Sequence, residues 1–258
     1  MTALHALIFG IIEGITEFLP ISSTGHLILA GKILGLSATD FQKSFDIIIQ
    51  LGAILAVVVL YAKTLLKVSV LKKLIVAFIP TGAIGLALYH VVKTYLLGNT
   101  NVVLWSLALG GIVLIAFELI HKEPTEPTKD TSKDIEAISY GKAFVIGICQ
   151  SVAIIPGVSR SAATIIGGLA LGIDRKTVVE FSFLLAVPTM LAATGLDLVK
   201  NAGAFSSSQF DVLAIGFIVS FVVAIASIKL LLGFIRRHDF TPFGIYRVLL
   251  AIAFWIII

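Results

Sequence analysis

The sequence is poor in charged residues and almost free of cysteine. Asp, Glu, Lys and Arg together make up 13% of its 258 residues, against about a quarter in ordinary soluble domains. This scarcity, together with 58% hydrophobic residues and a mean hydropathy of +1.07, excludes a soluble globular domain and indicates an integral membrane protein. The single cysteine, Cys149, excludes an internal disulfide framework.

The first residues lack the basic cluster that opens a secretory signal. No lysine or arginine lies between Met1 and His5, and no small-residue cleavage pattern follows the first apolar stretch, so we expect the N-terminus to be retained. Basic residues exceed acidic ones by four in the whole chain. In a membrane protein such an excess is first a signal of topology, and no nucleic-acid partner is expected.

Six apolar runs are long enough to cross about 30 Å of hydrocarbon, which takes roughly 20 residues. They are 44–62, 74–92, 101–121, 178–199, 211–235 and 242–258. Two further apolar stretches, 6–36 and 142–172, are interrupted by Pro, Gly and Ser, so each half is too short to span. Because broken backbone at membrane depth must be covered by protein or line a wet cavity, we expect two re-entrant helix pairs that line a site.

The same order of elements occurs twice in the chain. Glu13 corresponds to Gln150 at an offset of 137 residues, and Ser23 corresponds to Ser159 at an offset of 136. Corresponding breaks in corresponding halves indicate a membrane fold built from a repeat, with its site at the repeat interface. One dip and three crossings in each half would turn the second half upside down.

The sequence therefore predicts one all-α membrane domain over residues 1–258, with six transmembrane helices and two re-entrant pairs in an inverted-topology repeat. The first repeat is predicted at 1–121 with its re-entrant pair at 6–36. The second is predicted at 141–258 with its pair at 142–172. The polar run 122–140 is interpreted as a solvated cytoplasmic linker between them.

The loop lysines and arginines test this topology. With two dips and six spans, twelve of them fall on one side and only Lys43, Lys93 and Lys200 on the other. Treating each broken segment as a full span divides the same charges nine against six, which erases the bias. The positive-inside rule therefore favours the dips and predicts that both termini lie outside the cytoplasm.

Two carboxylates in the first broken stretch are the most informative feature of the chain. Glu13 and Glu17 lie one helical turn apart in an apolar segment that runs into Pro-Ile-Ser-Ser-Thr-Gly-His at 20–26. A charge at the centre of a membrane helix costs roughly 2.5–3.5 kcal/mol, so both acids need a compensating partner. A hard divalent cation, Mg²⁺ or Ca²⁺, takes oxygen ligands and bridges to phosphate oxygens, and we predict that Glu13 and Glu17 hold one.

The second break carries the complementary chemistry. It has the sequence Pro-Gly-Val-Ser-Arg-Ser-Ala-Ala-Thr at 156–164. A half-helix that begins here would aim free backbone N–H groups and the positive end of its dipole into the cavity, beside several hydroxyls and Arg160. Since the planar fork of arginine suits phosphate, this segment predicts an oxyanion receptor.

Together these motifs resemble the bacterial undecaprenyl-diphosphate phosphatase family, also called the bacitracin resistance family. The resemblance rests on 13–26 and 156–164 and extends to 181–188 and 242–247. It implies a hydrolase that converts undecaprenyl diphosphate to the monophosphate, recycles the lipid carrier of peptidoglycan synthesis and confers bacitracin resistance. It also implies activation by a divalent cation and an inverted-repeat fold in the bacterial cytoplasmic membrane, with the active site opening toward the outer face. Ala162 stands where many members have glycine.

Matching the motif positions to this chemistry gives the expected site. The predicted catalytic residues are Glu17, Ser23, His26 and Arg160, the predicted phosphate ligands are Arg160, Ser159, Ser161 and Thr24, and the predicted metal ligands are Glu13 and Glu17. Ser23 is either the nucleophile or a phosphate ligand for direct attack by water. His26 either protonates the leaving group, orients the nucleophile, or is a buried histidine satisfied by backbone.

A carrier is the alternative function. Many secondary transporters are built from inverted repeats with broken helices at the midplane, so a polyprenyl-phosphate flippase or another transporter fits the same architecture. The expected partners are a polyprenyl diphosphate and the surrounding membrane lipids, and a homodimer is left open.

Overall fold

The described part of the chain is helical throughout, which confirms the predicted all-α class. The structure is a computed structural model that describes residues 1–36, 39–96, 98–121, 134–200 and 209–257. Its α-helices are α1 Ala3–Thr16, α2 Ser23–Ile33, α3 Asp40–Leu60, α4 Ala62–Leu65, α5 Val68–Val91, α6 Thr100–Ile120, α7 Tyr140–Ser151, α8 Arg160–Ala170, α9 Arg175–Lys200, α10 Phe210–Phe234 and α11 Thr241–Ile257. A π-helical turn Val92–Leu96 extends α5, and 3₁₀ turns lie at Ile135–Ala137 and Val152–Ile154.

Each predicted span lies on one long helix. Of the described helices, α5, α6, α9 and α10 contain apolar stretches of at least 18 residues, long enough to cross a membrane. The apolar part of α3 is Ser44–Leu60, and α11 is a 17-residue helix. The chain is therefore a multi-pass membrane protein, with four helices that meet the length for a span and two that fall just short of it.

The two interrupted stretches each form a pair of short helices. The first break separates α1 from α2 and the second separates α7 from α8. Ser22 caps α2 by accepting from Gly25 N, and Ser159 caps α8 by accepting from Ala162 N. The caps are 137 residues apart, so Ser22 rather than Ser23 is the counterpart of Ser159.

The helix pairs of the bundle exchange consistently between the two halves. α1 packs on α10 as α7 packs on α5, and α3 packs on α10 as α9 packs on α5. α6 packs on α11, and α3 on α9. If α1 is exchanged with α7, α3 with α9, α5 with α10 and α6 with α11, these six packing pairs are unchanged.

Glycines allow the short helices to approach their partners at backbone distance. A Cβ on Gly10 of α1 would lie 2.8 Å from the carbonyl oxygen of Gly216 on α10. A Cβ on Gly147, the repeat counterpart of Gly10, would overlap the carbonyl of Ala77 on α5. These contacts leave no space for a side chain, and they seat α1 and α7 inside the bundle.

Two buried isoleucines hold the end of the predicted linker against the bundle. Residues 122–133 lie outside the described residues, but Ile135 and Ile138 are buried in the core. Glu136 accepts hydrogen bonds from Lys67 and from Ser69 beside the start of α5, and these bonds lower the pKa of its carboxyl. Two isoleucines three residues apart supply enough apolar surface to hold this segment against the bundle.

Candidate active site

A cavity of about 180 Å³ lies where the two breaks meet. Its walls come from both halves of the chain and hold five of the eight predicted site residues. The first break supplies Glu17, Ser23 and Thr24, and the second supplies Ser159 and Arg160. The remaining lining residues are Ser22, Thr81, Gln150, Ala153, Ile154, Ile155, Pro156, Gly157, Val158, Thr189 and Met190.

Three predicted catalytic residues form a connected group in this cavity. Ser23 Oγ donates to Glu17 Oε2 at 2.5 Å, and Arg160 Nη2 donates to Glu17 Oε1 at 3.2 Å. Glu17 and Arg160 are 143 positions apart in the chain, and both side chains are largely buried. Here a serine hydroxyl is hydrogen-bonded to a carboxylate, and a guanidinium orients that carboxylate. This is the arrangement of an activated nucleophile.

Arg160 keeps one donor free inside the protein. Its Nη1 donates to the carbonyl oxygen of Ser182 at 2.8 Å, while its Nε is buried and, among the described residues, has no acceptor. Thr164 lies 2.6 Å from the Ser182 hydroxyl and donates to backbone carbonyls of its own helix. An unpaired buried N–H is costly, and a phosphate oxygen in the cavity would satisfy it.

The N-termini of α2 and α8 meet at the cavity. Ser23 and Arg160 are the first residues of these helices, so both positive dipole ends lie beside the group that contains Glu17. Ser22, the cap of α2, has φ 72°, and no other non-glycine residue of the described chain lies in the left-handed region. Such a conformation costs about 1–3 kcal/mol and persists where the surrounding structure enforces it.

Two predicted phosphate ligands are already bonded to protein atoms. Ser161 Oγ donates to the carbonyl of Leu19 at 2.8 Å and is 1% exposed. Since that bond uses its hydrogen, Ser159 Oγ must be the donor in the 3.0 Å contact with Ser161 Oγ. Ser161 thus ties the second break to the first, and Thr24 and Ser159 line the cavity.

Glu13 lies deeper than Glu17 and accepts no hydrogen bond from an N–H or hydroxyl group of the described chain. Its side chain is fully buried, and its carboxyl group is within hydrogen-bonding range of that of Glu17. It lies within electrostatic range of Glu17, Asp46 and Arg160. Unpaired buried carboxylate oxygens are the donors that a hard divalent cation takes, although no group of three or more His, Cys, Asp or Glu side chains occurs among the described residues.

His26 is hydrogen-bonded to a tyrosine, Tyr246, that the sequence did not indicate. His26 Nδ1 lies 2.8 Å from the carbonyl oxygen of Ser22, and Nε2 lies 2.7 Å from the hydroxyl of Tyr246. The two rings stack with an interplanar angle of 6°. Because a carbonyl only accepts, Nδ1 carries the hydrogen, and in the neutral ring Nε2 accepts from Tyr246. The imidazole therefore braces the cap residue Ser22 and does not line the cavity.

Arg247 is also part of the site's framework. It is 1% exposed and donates to four backbone carbonyls. They are Ser106 at 2.9 Å, Gly157 at 3.1 Å, Leu107 at 3.3 Å and Pro20 at 3.3 Å. One guanidinium thus connects α6 with both breaks.

A neutral polar cluster forms another wall of the cavity. Gln150 Nε2 donates to Thr81 at 2.8 Å and to Thr189 at 3.2 Å. The repeat had placed Gln150 opposite Glu13, but the two threonines were not predicted. Each follows a proline inside its helix, Pro80 in α5 and Pro188 in α9, and this repeated Pro-Thr pair is the signal that could have found them.

Comparison with known proteins agrees with the motifs. Residues 6–253 match the family described as bacitracin resistance protein BacA. The chain is 51% identical over 259 residues to an undecaprenyl-diphosphatase of Sulfurihydrogenibium sp., covering 99% of each. It is 51% identical over 255 residues to one of Aquifex aeolicus, covering 98% of each. It is 50% identical over 257 residues to one of Campylobacter jejuni, covering 99% of this chain and 94% of the relative.

Proposed function

The chain belongs to the bacitracin resistance protein BacA family, and we propose that it hydrolyses undecaprenyl diphosphate to undecaprenyl phosphate and inorganic phosphate. It is an undecaprenyl-diphosphatase. The observation that carries this function is the contact of Ser23 and Arg160 with the same carboxylate, Glu17, in one cavity. The reaction regenerates the lipid carrier of cell-wall synthesis, and this accounts for bacitracin resistance.

In the proposed mechanism, Ser23 is the nucleophile. Glu17 Oε2 takes the hydroxyl proton as Ser23 Oγ attacks the terminal phosphorus, since the two atoms are already within hydrogen-bond reach. Undecaprenyl phosphate leaves and takes up the proton held by Glu17. The Glu17 carboxylate then deprotonates the water that attacks the phosphoserine, and this proton passes to Ser23 Oγ as inorganic phosphate is released. The 2.5 Å contact favours this route over direct attack by water.

Charge on the transferring phosphoryl group is balanced by the second break. Arg160 Nε is a buried donor with no acceptor in the described chain, and the N-termini of α2 and α8 add two positive dipole ends. Phosphoryl transfer depends mainly on positioning and on neutralising charge. Arg160 therefore binds the phosphoryl oxygens as they gain charge.

A divalent cation, Mg²⁺ or Ca²⁺, fits the carboxylates beside this group. Glu13 and Glu17 are the residues that would hold it, and the cation would supply positive charge to neutralise the phosphate oxygens.

We place the two short helix pairs as re-entrant dips in an inverted-topology repeat of six spans. The consistent exchange of packing pairs supports the repeat, and the paired caps Ser22 and Ser159 support its register. The distribution of lysine and arginine supports termini outside the cytoplasm, and membership of the family supports a cavity that opens toward the outer face.

We expect the purified protein in detergent to release inorganic phosphate from undecaprenyl diphosphate only with a divalent cation. Glu13→Gln keeps the side chain's size and removes its charge. It should raise the Mg²⁺ concentration for half-maximal activity by about tenfold, because ligand charge sets affinity for hard cations. Phosphate release as a function of free Mg²⁺ measures this.

Asp211→Asn, which alters an exposed acid at the start of α10, is the matched control and should behave as wild type. An unchanged Mg²⁺ dependence in Glu13→Gln would remove Glu13 from the metal site. A wild-type protein that releases no phosphate but moves polyprenyl phosphate across vesicles would be a carrier instead.

The geometry of His26 predicts a positioning role rather than proton donation. Asparagine places an amide N–H near the position of Nδ1, so His26→Asn should retain the bond to Ser22 and keep kcat within about threefold of wild type. His26→Leu should lose about tenfold or more because the cap of α2 is no longer held. Initial rates across pH for both variants provide the measurement.

Tyr246→Phe keeps the stacked ring and removes the hydroxyl. It is the control for the contact at Nε2, the other ring nitrogen of His26. If His26 instead donated a proton to the leaving group, both His26 variants would be equally slow and would lose one limb of the pH profile.

A further inference from the structure

The walls of the cavity are not equivalent in the two halves. Beyond the polar centre they are formed by Thr81 of α5, by Ile154 and Ile155 after α7, and by Met190 of α9. The repeat counterparts of α5 and α9 are α10 and α3. Neither contributes a lining residue from the described part of the chain.

The face between α3 and α10 is closed by backbone contact. Gly52 of α3 lies directly against the carbonyl of Phe217 on α10, with no room for a Cβ. Close by, the buried Ser220 hydroxyl donates to the carbonyl of Ile49 at 2.7 Å. Helices joined at backbone distance leave no passage for a lipid chain between them.

In the second half Gln150 bridges Thr81 of α5 to Thr189 of α9, but the gap between α5 and the 3₁₀ turn Val152–Ile154 has no such closure beside Gly85. A Cβ on Gly85, one turn beyond Thr81, would meet only the tip of Ile154, at 3.9 Å. The prolines of the two Pro-Thr pairs each remove a helix hydrogen bond at this depth, and prolines inside helices bend them. The side chain nearest to Gly85 is thus a lining residue of the cavity itself.

The surface outside this opening is apolar and faces the bilayer. Val152 is 53% exposed, Ile155 38% and Leu86 71%. They continue the apolar part of the lining formed by Ile154 and Met190. Ile155 thus borders the cavity on one side and the lipid-facing surface on the other.

We propose that the polyprenyl chain of the substrate leaves the cavity between α5 and the 3₁₀ turn Val152–Ile154, across Gly85 and Ile154. This opening is the tail exit. The inference rests on the proposed function, since a lipid diphosphate must keep its tail in apolar surroundings while its phosphates reach Arg160. The prenyl chain is the occupant because the opening is continuous with the phosphate cavity and the opposite face is closed.

Gly85→Leu tests the tail exit. The new side chain extends from open space toward Ile154, and leucine favours a helix more than glycine does, so the bundle is not strained. Rates of phosphate release are measured with undecaprenyl diphosphate and with dimethylallyl diphosphate, which has a single prenyl unit. We expect kcat/KM for the long substrate to fall about tenfold or more, as apolar sites lose affinity when filled, and that for the short one to change less than twofold.

Gly233→Leu is the matched control, because a Cβ on Gly233 of α10 also meets nothing within 4 Å; it should match wild type on both substrates. Equal losses on the two substrates in Gly85→Leu, or no loss on either, would overturn the tail exit. Absence of phosphate release by wild type from both substrates would overturn the proposed function, and with it the identity of the tail.

Discussion

Replacing Arg160 with lysine is expected to lower kcat/KM for phosphate release by about 10²- to 10³-fold while the protein stays folded. The guanidinium binds Ser182 and Glu17 through different nitrogens and keeps Nε available. A lysine ammonium is a single point charge and cannot bind the Ser182 carbonyl, the Glu17 carboxylate and a phosphate oxygen at the same time. Because lysine keeps the positive charge, the loss of kcat/KM measures the contribution of the guanidinium's hydrogen-bond geometry.

The measurement pairs steady-state phosphate release with the thermal unfolding midpoint in the same detergent. Arg236→Lys, at an exposed arginine beyond the end of α10, is the control and should leave both quantities unchanged. If Arg160→Lys lowered stability in proportion to activity, Arg160 would be a scaffold residue and the proposed phosphate contact would fail.

Arg247→Met should be among the most destabilising single changes in the chain. It removes four donors at once and leaves the carbonyls of Ser106, Leu107, Pro20 and Gly157 without them. Ser106 and Leu107 lie inside α6 and keep their helical N–H partners, but Pro20 and Gly157 lose theirs. At about 1–3 kcal/mol for each unsatisfied buried group, the loss is a large part of the stability of a typical domain, about 5–15 kcal/mol. We expect little folded protein in the membrane and a much lower unfolding midpoint.

Lys229→Met, which removes an exposed cation from α10, controls for loss of charge and should unfold as wild type does. Arg247→Met that folds normally but releases phosphate slowly would show that Arg247 binds the substrate rather than the backbone. That outcome would also require the cavity to reach a side chain that is 1% exposed.

Hydropathy predicted every long helix but set some starts too late. The span predicted from 74 belongs to a helix that begins at Val68, because Lys72 and Lys73 lowered the hydropathy of its first turns. In the structure Lys73 donates to the backbone of Glu136, so a charged residue is part of the helix. Apolar length alone does not report such a contact.

The sequence predicted the contact of Glu17 with Arg160 because costly charges in broken segments need each other. It did not predict the hydrogen bond of Tyr246 to His26 or the carbonyls bound by Arg247. Backbone acceptors carry no residue signature, and a tyrosine near a helix end is compatible with many roles. Such partners follow from the three-dimensional packing of α11 against α2 and α6, which spacing along the chain does not reveal.

The four carbonyls held by Arg247 also limit how the molecule can move. Rocking of one half against the other, as in alternating access, would pull Pro20 away from Gly157 and strip the guanidinium of acceptors on one side. Leaving buried polar groups without partners is costly. The Arg247 guanidinium therefore holds the two halves in a fixed arrangement. This suits a rigid catalyst, in which the lipid substrate moves and the protein does not.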